Sequence, residues 1–540
     1  MDNKILKSKH ELVLFVLIMI IGVIMRINAL NSYDYIIGPQ DTFAPAAGSL
    51  DLINERGYNY SYLSSQGVSI LLLPFILFLE SYFAIKIAIL FYSLLLVLFC
   101  YYLIKLFFNN PIPALIASFL ISINPVFVTY STVGFYDNIQ LSFIFLFFIF
   151  TVFIQRCRGI MFKILFLLSG ITLFFLKESN IVFICLSGIY LLVSNFLKIR
   201  KNEIKIVSFK KLFKNLIFFF ILVLLAGSIY LGNSDSRYRA FEDVPNFFFS
   251  HGAYSDNIKS TFVYLEEPLI TPSFAGIFKH TKIERNLSDN IIILFSIILF
   301  VGGLVFLLRE NKNLFVLLNG IIISNIVFFT LFLKWQLRYY FPSLVSIIMI
   351  ISFGIYLILF HPRYPKIISL FVIVIILLVS TTTITINLMN LNKFGTNESR
   401  IENYVLLDNK DVINLLEIAR RDNVTRIYTS YGPWIDFFVL KEEVNISVID
   451  VYRIVYFHDD INESSKLLIN QIKGDVGSYK VWYIVGWQEL FKNNQDDTRN
   501  YNELWNQVKS SVSLRKVYLG DNTICKSLLK YNCFEVYEIN

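Results

Sequence analysis

Uninterrupted apolar runs near bilayer length recur over most of the chain, at about 11–30, 82–106, 112–130, 139–155, 162–176, 180–197, 215–231, 290–308, 314–333, 339–360 and 367–389. A hydrocarbon core about 30 Å thick takes roughly 20 apolar residues of helix to cross, so these runs predict about eleven transmembrane helices. The first run follows Lys4, Lys7 and Lys9 as a signal peptide would. It is long, however, and no small-residue cleavage site follows it, which predicts an uncleaved span.

One further apolar segment, 67–80 (GVSILLLPFILFLE), is short and carries Pro74 in its middle. Charge decides its placement. If 67–80 does not cross, the loops holding Arg156, Arg158 and Lys163, the seven basic residues of 198–214, Arg309 with Lys312, and Arg363 with Lys366 all share the side of the N-terminus. That is the positive-inside arrangement. The segment is therefore expected to be a re-entrant or interfacial helix at the outer face. The polar pieces 31–66, 232–289 and 395–540 then lie outside, with the N-terminus cytoplasmic.

Beyond residue 395 the apolar runs shorten. DNKDVINLLEIARR at 408–421 repeats apolar positions at helical spacing, whereas RIYTS at 426–430, VNISVIDV at 444–451 and KVWYIVG at 480–486 read as strands. The fold expected is a polytopic α-helical membrane protein. It has a transmembrane domain over 1–394, with external loops 31–66 and 232–289, and an extracytoplasmic α/β domain over 395–540.

Composition agrees with this class. Of 540 residues, 56% are hydrophobic and 16% charged, and the mean hydropathy is +0.60, which excludes an ordinary soluble protein. The net charge of +8 sits mostly in short loops beside spans, so nucleic acid is not an expected partner. Five cysteines are too few for a disulfide scaffold. Cys525 and Cys533 in the polar C-terminal part could bridge a turn or stay free thiols. Six Asn-x-Ser/Thr sequons, at Asn59, Asn286, Asn397, Asn423, Asn445 and Asn462, all fall in the external pieces, as they would by chance in polar sequence. The Lys/Ile/Asn-rich composition suits an AT-rich prokaryotic genome, hence a plasma membrane.

There is no Walker loop, dinucleotide glycine fingerprint, HExxH, GxSxG or kinase set, and the five histidines show no metal-ligand spacing. The candidate chemistry lies where spans emerge. Asp34 and Asp41 follow the first span closely; a carboxylate there can take a proton from an acceptor while a lipid-borne substrate stays in the bilayer. Asp41 equally suits the cap of a helix beginning near Thr42. Asp137 and Asn138, in YDNIQ, sit at the mouth of the span that starts near Ile139. Asp137 emerges on the face of Asp41 and two such carboxylates could share a divalent cation, Mg²⁺ or Mn²⁺, or Asp137 could simply be solvated; the paired Glu266 and Glu267 of the 232–289 loop are likewise either solvated or bound to a cation. Lys334 and Arg338, at four-residue spacing in KWQLRYYFP, suit a phosphate, or else snorkel within an aromatic belt of Trp335, Tyr339 and Tyr340. Lys177 and Glu178 form an adjacent pair that can neutralise itself near lipid.

Together these residues resemble the GT-C superfamily of membrane glycosyltransferases over roughly 10–390, a group that includes protein O-mannosyltransferases, lipid A aminoarabinose transferases and the catalytic subunit of oligosaccharyltransferase. Asp41 matches the acidic residue of the family's first external loop. GFYDN at 134–138 is similar to its second acidic motif, with Asn138 and Ile139 where a further acid would stand. LEEPLIT at 265–271 is similar to its external-loop glutamate motif, and RYYFP at 338–342 to its arginine-bearing span. The oligosaccharyltransferase WWDYG motif has no counterpart; YGPWIDF at 431–437 is a poor substitute. The resemblance implies a glycosyltransferase that moves a sugar or oligosaccharide from a polyprenyl-phosphate (dolichyl-type) lipid donor to a protein, lipid or glycan acceptor at the outer face. Asp41 would be base, Arg338 and Lys334 would hold the phosphate, Asp137 with Glu266 or Glu267 any metal, and Asp34 and Asn138 would support them. A lipid-linked sugar transporter or flippase is the alternative, and a non-catalytic envelope assembly protein a further one.

Overall fold

The structure is a computed structural model. It describes residues 2–32, 39–54, 66–79, 83–131, 136–156, 159–177, 180–200, 217–225, 287–332, 340–360, 366, 409–451, 461–485, 496–519 and 535–540. The chain divides into two compact units. One comprises Met1–Tyr33, Lys86–Thr132 and Tyr136–Gly395; the other comprises Asp34–Ile85, Val133–Phe135 and Thr396–Asn540.

The first unit is helical. Its elements are α1 (Asp2–Ser32), α4 (Phe83–Phe107, whose first three residues belong to the second unit), α5 (Ile112–Ile123), α6 (Pro125–Tyr130), α7 (Asp137–Arg156), α8 (Ile160–Leu176), α9 (Ile181–Arg200), α10 (Leu287–Glu310), α11 (Lys312–Phe332) and α12 (Phe341–Phe360). Among the described residues, Lys9–Asn28, Phe83–Phe107, Asp137–Arg156 and Phe341–Phe360 are long and apolar enough to cross a membrane, and several shorter apolar helices accompany them. The run expected at 367–389, and most of that at 215–231, lie outside the described residues.

The run 112–130 is not one helix, as its hydropathy suggests, but two. Pro125 disfavours helical backbone at Asn124, which is extended at ψ 124. The Asn124 Oδ1 then accepts from the backbone N–H groups of Val126 (3.0 Å) and Phe127 (3.4 Å), capping α6.

Side-chain contacts fix the helix directions. Lys105 of α4 donates to Glu11 of α1 (2.5 Å), while Arg26, further along α1, donates to Ser93, earlier in α4 (2.9 Å). The two helices are therefore antiparallel. Tyr92 of α4 meets Phe143 of α7 (6.0 Å), and the Arg156 guanidinium at the end of α7 lies over Phe107 at the end of α4 (4.9 Å), so α4 and α7 run parallel. Glycine sets a close crossing between α10 and α12. A Cβ on Gly303 of α10 would lie 2.0 Å from the Ile350 carbonyl oxygen of α12, and one on Gly354 of α12 would lie 1.9 Å from the Leu299 oxygen of α10. Backbones can approach that closely only where neither residue has a side chain.

The second unit holds α2 (Pro39–Ile53), α3 (Gln66–Phe78), α13 (Asn409–Arg421), β1 (Arg426–Thr429), α14 (Gly432–Lys441), β2 (Ser447–Asp450), α15 (Ile461–Val476), β3 (Val481–Val485), α16 (Asp496–Ser511), β4 (Leu514–Leu519) and β5 (Glu535–Ile539). The sheet order is β2-β1-β3-β5-β4. β1 pairs in parallel with β2 and β3, and β5 pairs antiparallel with β3 and β4. Because β2 and β3 flank β1 on opposite sides, the crossover through α14 and that through α15 cover opposite faces. On one face Tyr428, Tyr483 and Val485 pack with Leu468 and Ile472 of α15 and Leu504, Trp505 and Val508 of α16. The polar edge of this core is closed by Asp475, which accepts from both Tyr428 and Arg426.

Helix α2 packs on this sheet domain, and α3 packs on α2. Phe43 of α2 contacts Trp434, Phe437 and Phe438 of α14 at 5.3–6.1 Å between ring centroids. Ala44, Ala46, Ala47 and Ser49 of α2 are fully buried, and the Ser49 hydroxyl donates to the Ser69 carbonyl of α3 (2.7 Å). The 67–80 segment is thus a helix of the unit that carries the sheet. At the mouth of the parallel strands, a Cβ on Gly432 would lie 2.4 Å from the Asp450 Cβ. Only glycine lets the start of α14 pass beneath β2.

Candidate functional site

Two segments expected to carry chemistry are described in the first unit. Asp137 is the first residue of α7 and is buried, at 6% exposure, and Asn138 beside it is fully buried. A carboxylate in the first turn is favoured by the positive end of the helix dipole. The other end of the same constellation is the start of α12. Phe341 is gripped edge-on by Phe127 (5.5 Å) and Tyr130 (4.7 Å) of α6, and Tyr340 beside it is buried. The capped break at Asn124–Pro125 therefore has a positional consequence: it turns α6 so that Phe127 and Tyr130 lie against Phe341 at the start of α12.

The sequence reading missed Lys86. It lies in the first turn of α4 at 1% exposure, at the start of a run read simply as a span. The parallel packing of α4 and α7 locates it: Lys86 precedes Tyr92 by six residues, as Asp137 precedes Phe143, and Tyr92 and Phe143 touch. Lys86 and Asp137 are thus on one level, at the same end of the bundle. The signal was available in the sequence, since a lysine inside an apolar run is costly and marks function by default.

Arg26 is also fully buried, but its charge serves the fold. Its Nε donates to Ser93 Oγ (2.9 Å), and its Nη1 donates to the carbonyls of Gly22 (3.1 Å) and Ser122 (2.9 Å). Ser122 lies in the last turn of α5, where carbonyls lack intrahelical partners and the dipole is negative. The guanidinium therefore caps α5 while tying α1 to α4 and α5. Further along α7, Gln140 donates to Asn180 Oδ1 (2.6 Å), Asn180 donates to the Leu173 carbonyl (2.8 Å), and Tyr190 donates to Gln155 (3.2 Å). These close the polar groups between α7, α8 and α9.

In the second unit Asp41 is the third residue of α2, which begins at Pro39. It is therefore inside the first turn and not the cap of a helix starting at Thr42; proline at the first helical position moves the start upstream. Asp51, also on α2, is a fully buried carboxylate that the sequence reading passed over. Asp34, Glu266, Glu267, Lys334, Arg338, Glu178, Cys525 and Cys533 lie outside the described residues. Among the described residues no group of three His, Cys, Asp or Glu side chains is placed to hold a metal ion. Asp137, with an amide at 138, offers a cation one carboxylate.

No family model and no curated relative matches the sequence. Solved structures do match in fold. ArnT from Cupriavidus metallidurans bound to undecaprenyl phosphate superposes with a TM-score of 0.56 over 97% of this chain and 97% of that one, at 9% identity. The same protein in the apo state gives 0.54 over 98% of each chain, at 11% identity. With its long apolar helices the chain is an integral membrane protein, and it shares the fold of ArnT.

Proposed function

We propose that the protein is a membrane glycosyltransferase that moves a sugar from a polyprenyl-phosphate-type lipid donor to a protein, lipid or glycan acceptor at the extracytoplasmic face of a prokaryotic cell membrane. The observation that carries this reading is the level shared by Lys86 and Asp137 at one end of a helical unit, in a chain whose whole length follows the fold of a protein crystallised with undecaprenyl phosphate. A buried ammonium at a membrane boundary complements a lipid phosphate, which remains at the interface while its chain stays in the bilayer.

In this mechanism Lys86, with Arg338 and Lys334, holds the phosphate and stabilises the charge that develops on it. Asp41 accepts the acceptor's proton as its oxygen or nitrogen attacks the anomeric carbon. The bond from that carbon to the phosphate oxygen breaks, the electron pair leaves with the polyprenyl phosphate, and a single displacement inverts the carbon. Asp34 and Asn138 support the site. A Mg²⁺ or Mn²⁺ ion, if used, would draw on Asp137 and on Glu266 or Glu267.

The test is to incubate the purified full-length protein in nanodiscs with polyprenyl-phosphate and polyprenyl-diphosphate sugars, with and without Mg²⁺ or Mn²⁺, and to follow release of the carrier lipid. Asp41→Asn should abolish release at an unchanged melting temperature. Undiminished turnover in that variant refutes the base assignment. Donor translocation without transfer would establish the flippase alternative, and lipid binding with neither would establish an assembly role.

A further inference from the structure

Asn138 is fully buried, yet neither its Nδ2 nor its Oδ1 has a hydrogen-bond partner among the described residues. A buried amide with both ends unpaired destabilises the fold. Its neighbours are treated differently: Gln140, Asn180 and Asn195 each donate to an acceptor within 2.6–2.8 Å. Helix geometry explains why Asn138 cannot join them. Gln140 of α7 contacts Asn180 between α8 and α9, and Phe147, Phe148 and Gln155 contact α8 and α9 themselves. At about 100° per residue, Asn138 is turned roughly 160° from Gln140 and lies on the opposite side of the helix. It is thus held inside the unit, beside Asp137 and on the level of Lys86, with a free donor and a free acceptor.

The pairing capacity of that amide selects its ligand class. A phosphate only accepts, and would leave Oδ1 unpaired. A cation only takes a lone pair, and would leave Nδ2 unpaired. A carbohydrate hydroxyl both donates and accepts, so two ring hydroxyls, or a hydroxyl and an acetamido group, satisfy both ends at once. We infer that Asn138 binds the glycosyl group of the donor, reading its hydroxyls while the cations hold the phosphate. This rests on the sugar-transfer reading above and names the part of the substrate that the amide recognises.

Asn138→Leu, close in shape, removes both orphan groups. The probes are bare undecaprenyl phosphate and a polyprenyl-phosphate sugar, titrated against full-length protein, together with the melting temperature of each variant. The expected result is an unchanged Kd for the bare lipid, a Kd for the glycosylated lipid raised about tenfold or more, and an equal or higher melting temperature. Equal weakening for both lipids, or no selective loss, overturns the inference while leaving sugar transfer standing. A lower melting temperature also overturns it, because the amide would then serve the fold. A wild-type protein that binds neither lipid refutes the sugar-transfer reading, and this inference with it.

Discussion

The glycine crossing between α10 and α12 gives a prediction whose size follows from distances. Replacing Gly354 by Ala places a methyl group 1.9 Å from the Leu299 carbonyl oxygen, against a limit near 3.0 Å for real Cβ contacts. The obstacle is backbone, which no rotamer change can move aside, so the helices must separate locally by about 1 Å. Overpacking of this kind costs about 1–3 kcal/mol, partly offset by about 0.5–1 kcal/mol of improved helix propensity. Gly303→Ala meets the Ile350 oxygen at 2.0 Å and should behave alike, whereas Gly302 has nothing within 4 Å and its alanine variant should be neutral or slightly stabilising. The assay is thermal inactivation of purified protein in one detergent, with Gly302→Ala as the matched control; the crossing variants should lose about 1–3 °C relative to it. Because Gly303 and Gly354 face each other, the double variant should lose less than the sum of the two. A Gly354→Ala protein as stable as Gly302→Ala would refute the close crossing.

Lys86→Met should weaken binding of bare undecaprenyl phosphate by about tenfold or more, the opposite pattern to Asn138→Leu; unchanged affinity in a lipid titration would remove Lys86 from the phosphate site. In the sheet domain burial pushes the Glu538 carboxyl up, but Arg515 and Lys480 outweigh it and hold it below its ordinary value of 4.5. A depressed carboxyl contributes stability that is fully present above that value and is lost as pH falls through its lower folded-state value. Wild type should therefore melt above Glu538→Gln at neutral pH, with the gap closing as pH drops below about 4.5; a gap that widens in acid would contradict the assignment.

The sequence shows clearly what local periodicity encodes. Among the described residues the apolar runs become helices, and the strands at 426–430, 444–451 and 480–486 form within a residue or a few of where alternation places them. β4 and β5 are not legible in the sequence, because LRKVYL and EVYEI carry charges that blur the alternation and are paired only through the sheet. The break at Asn124–Pro125 was legible and was overridden by hydropathy. Asn138 shows why candidate sites are harder: its complete burial and unpaired amide are properties of the packed unit and not of neighbours in sequence, whereas Lys86 is visible as a charge inside an apolar run. The docking of α2 on α14 joins residues nearly four hundred positions apart, and no local signal announces it.

That docking constrains how the molecule is made. The apolar face of α2, with Phe43 and its run of alanines, leaves the ribosome long before α14 exists to cover it. At about 5–20 residues per second the interval is roughly 20–80 s. During that time a greasy helix next to the first membrane anchor has no native neighbour from the sheet. A nascent chain stalled before residue 432 would strand that face, so its burial waits on the synthesis of α14.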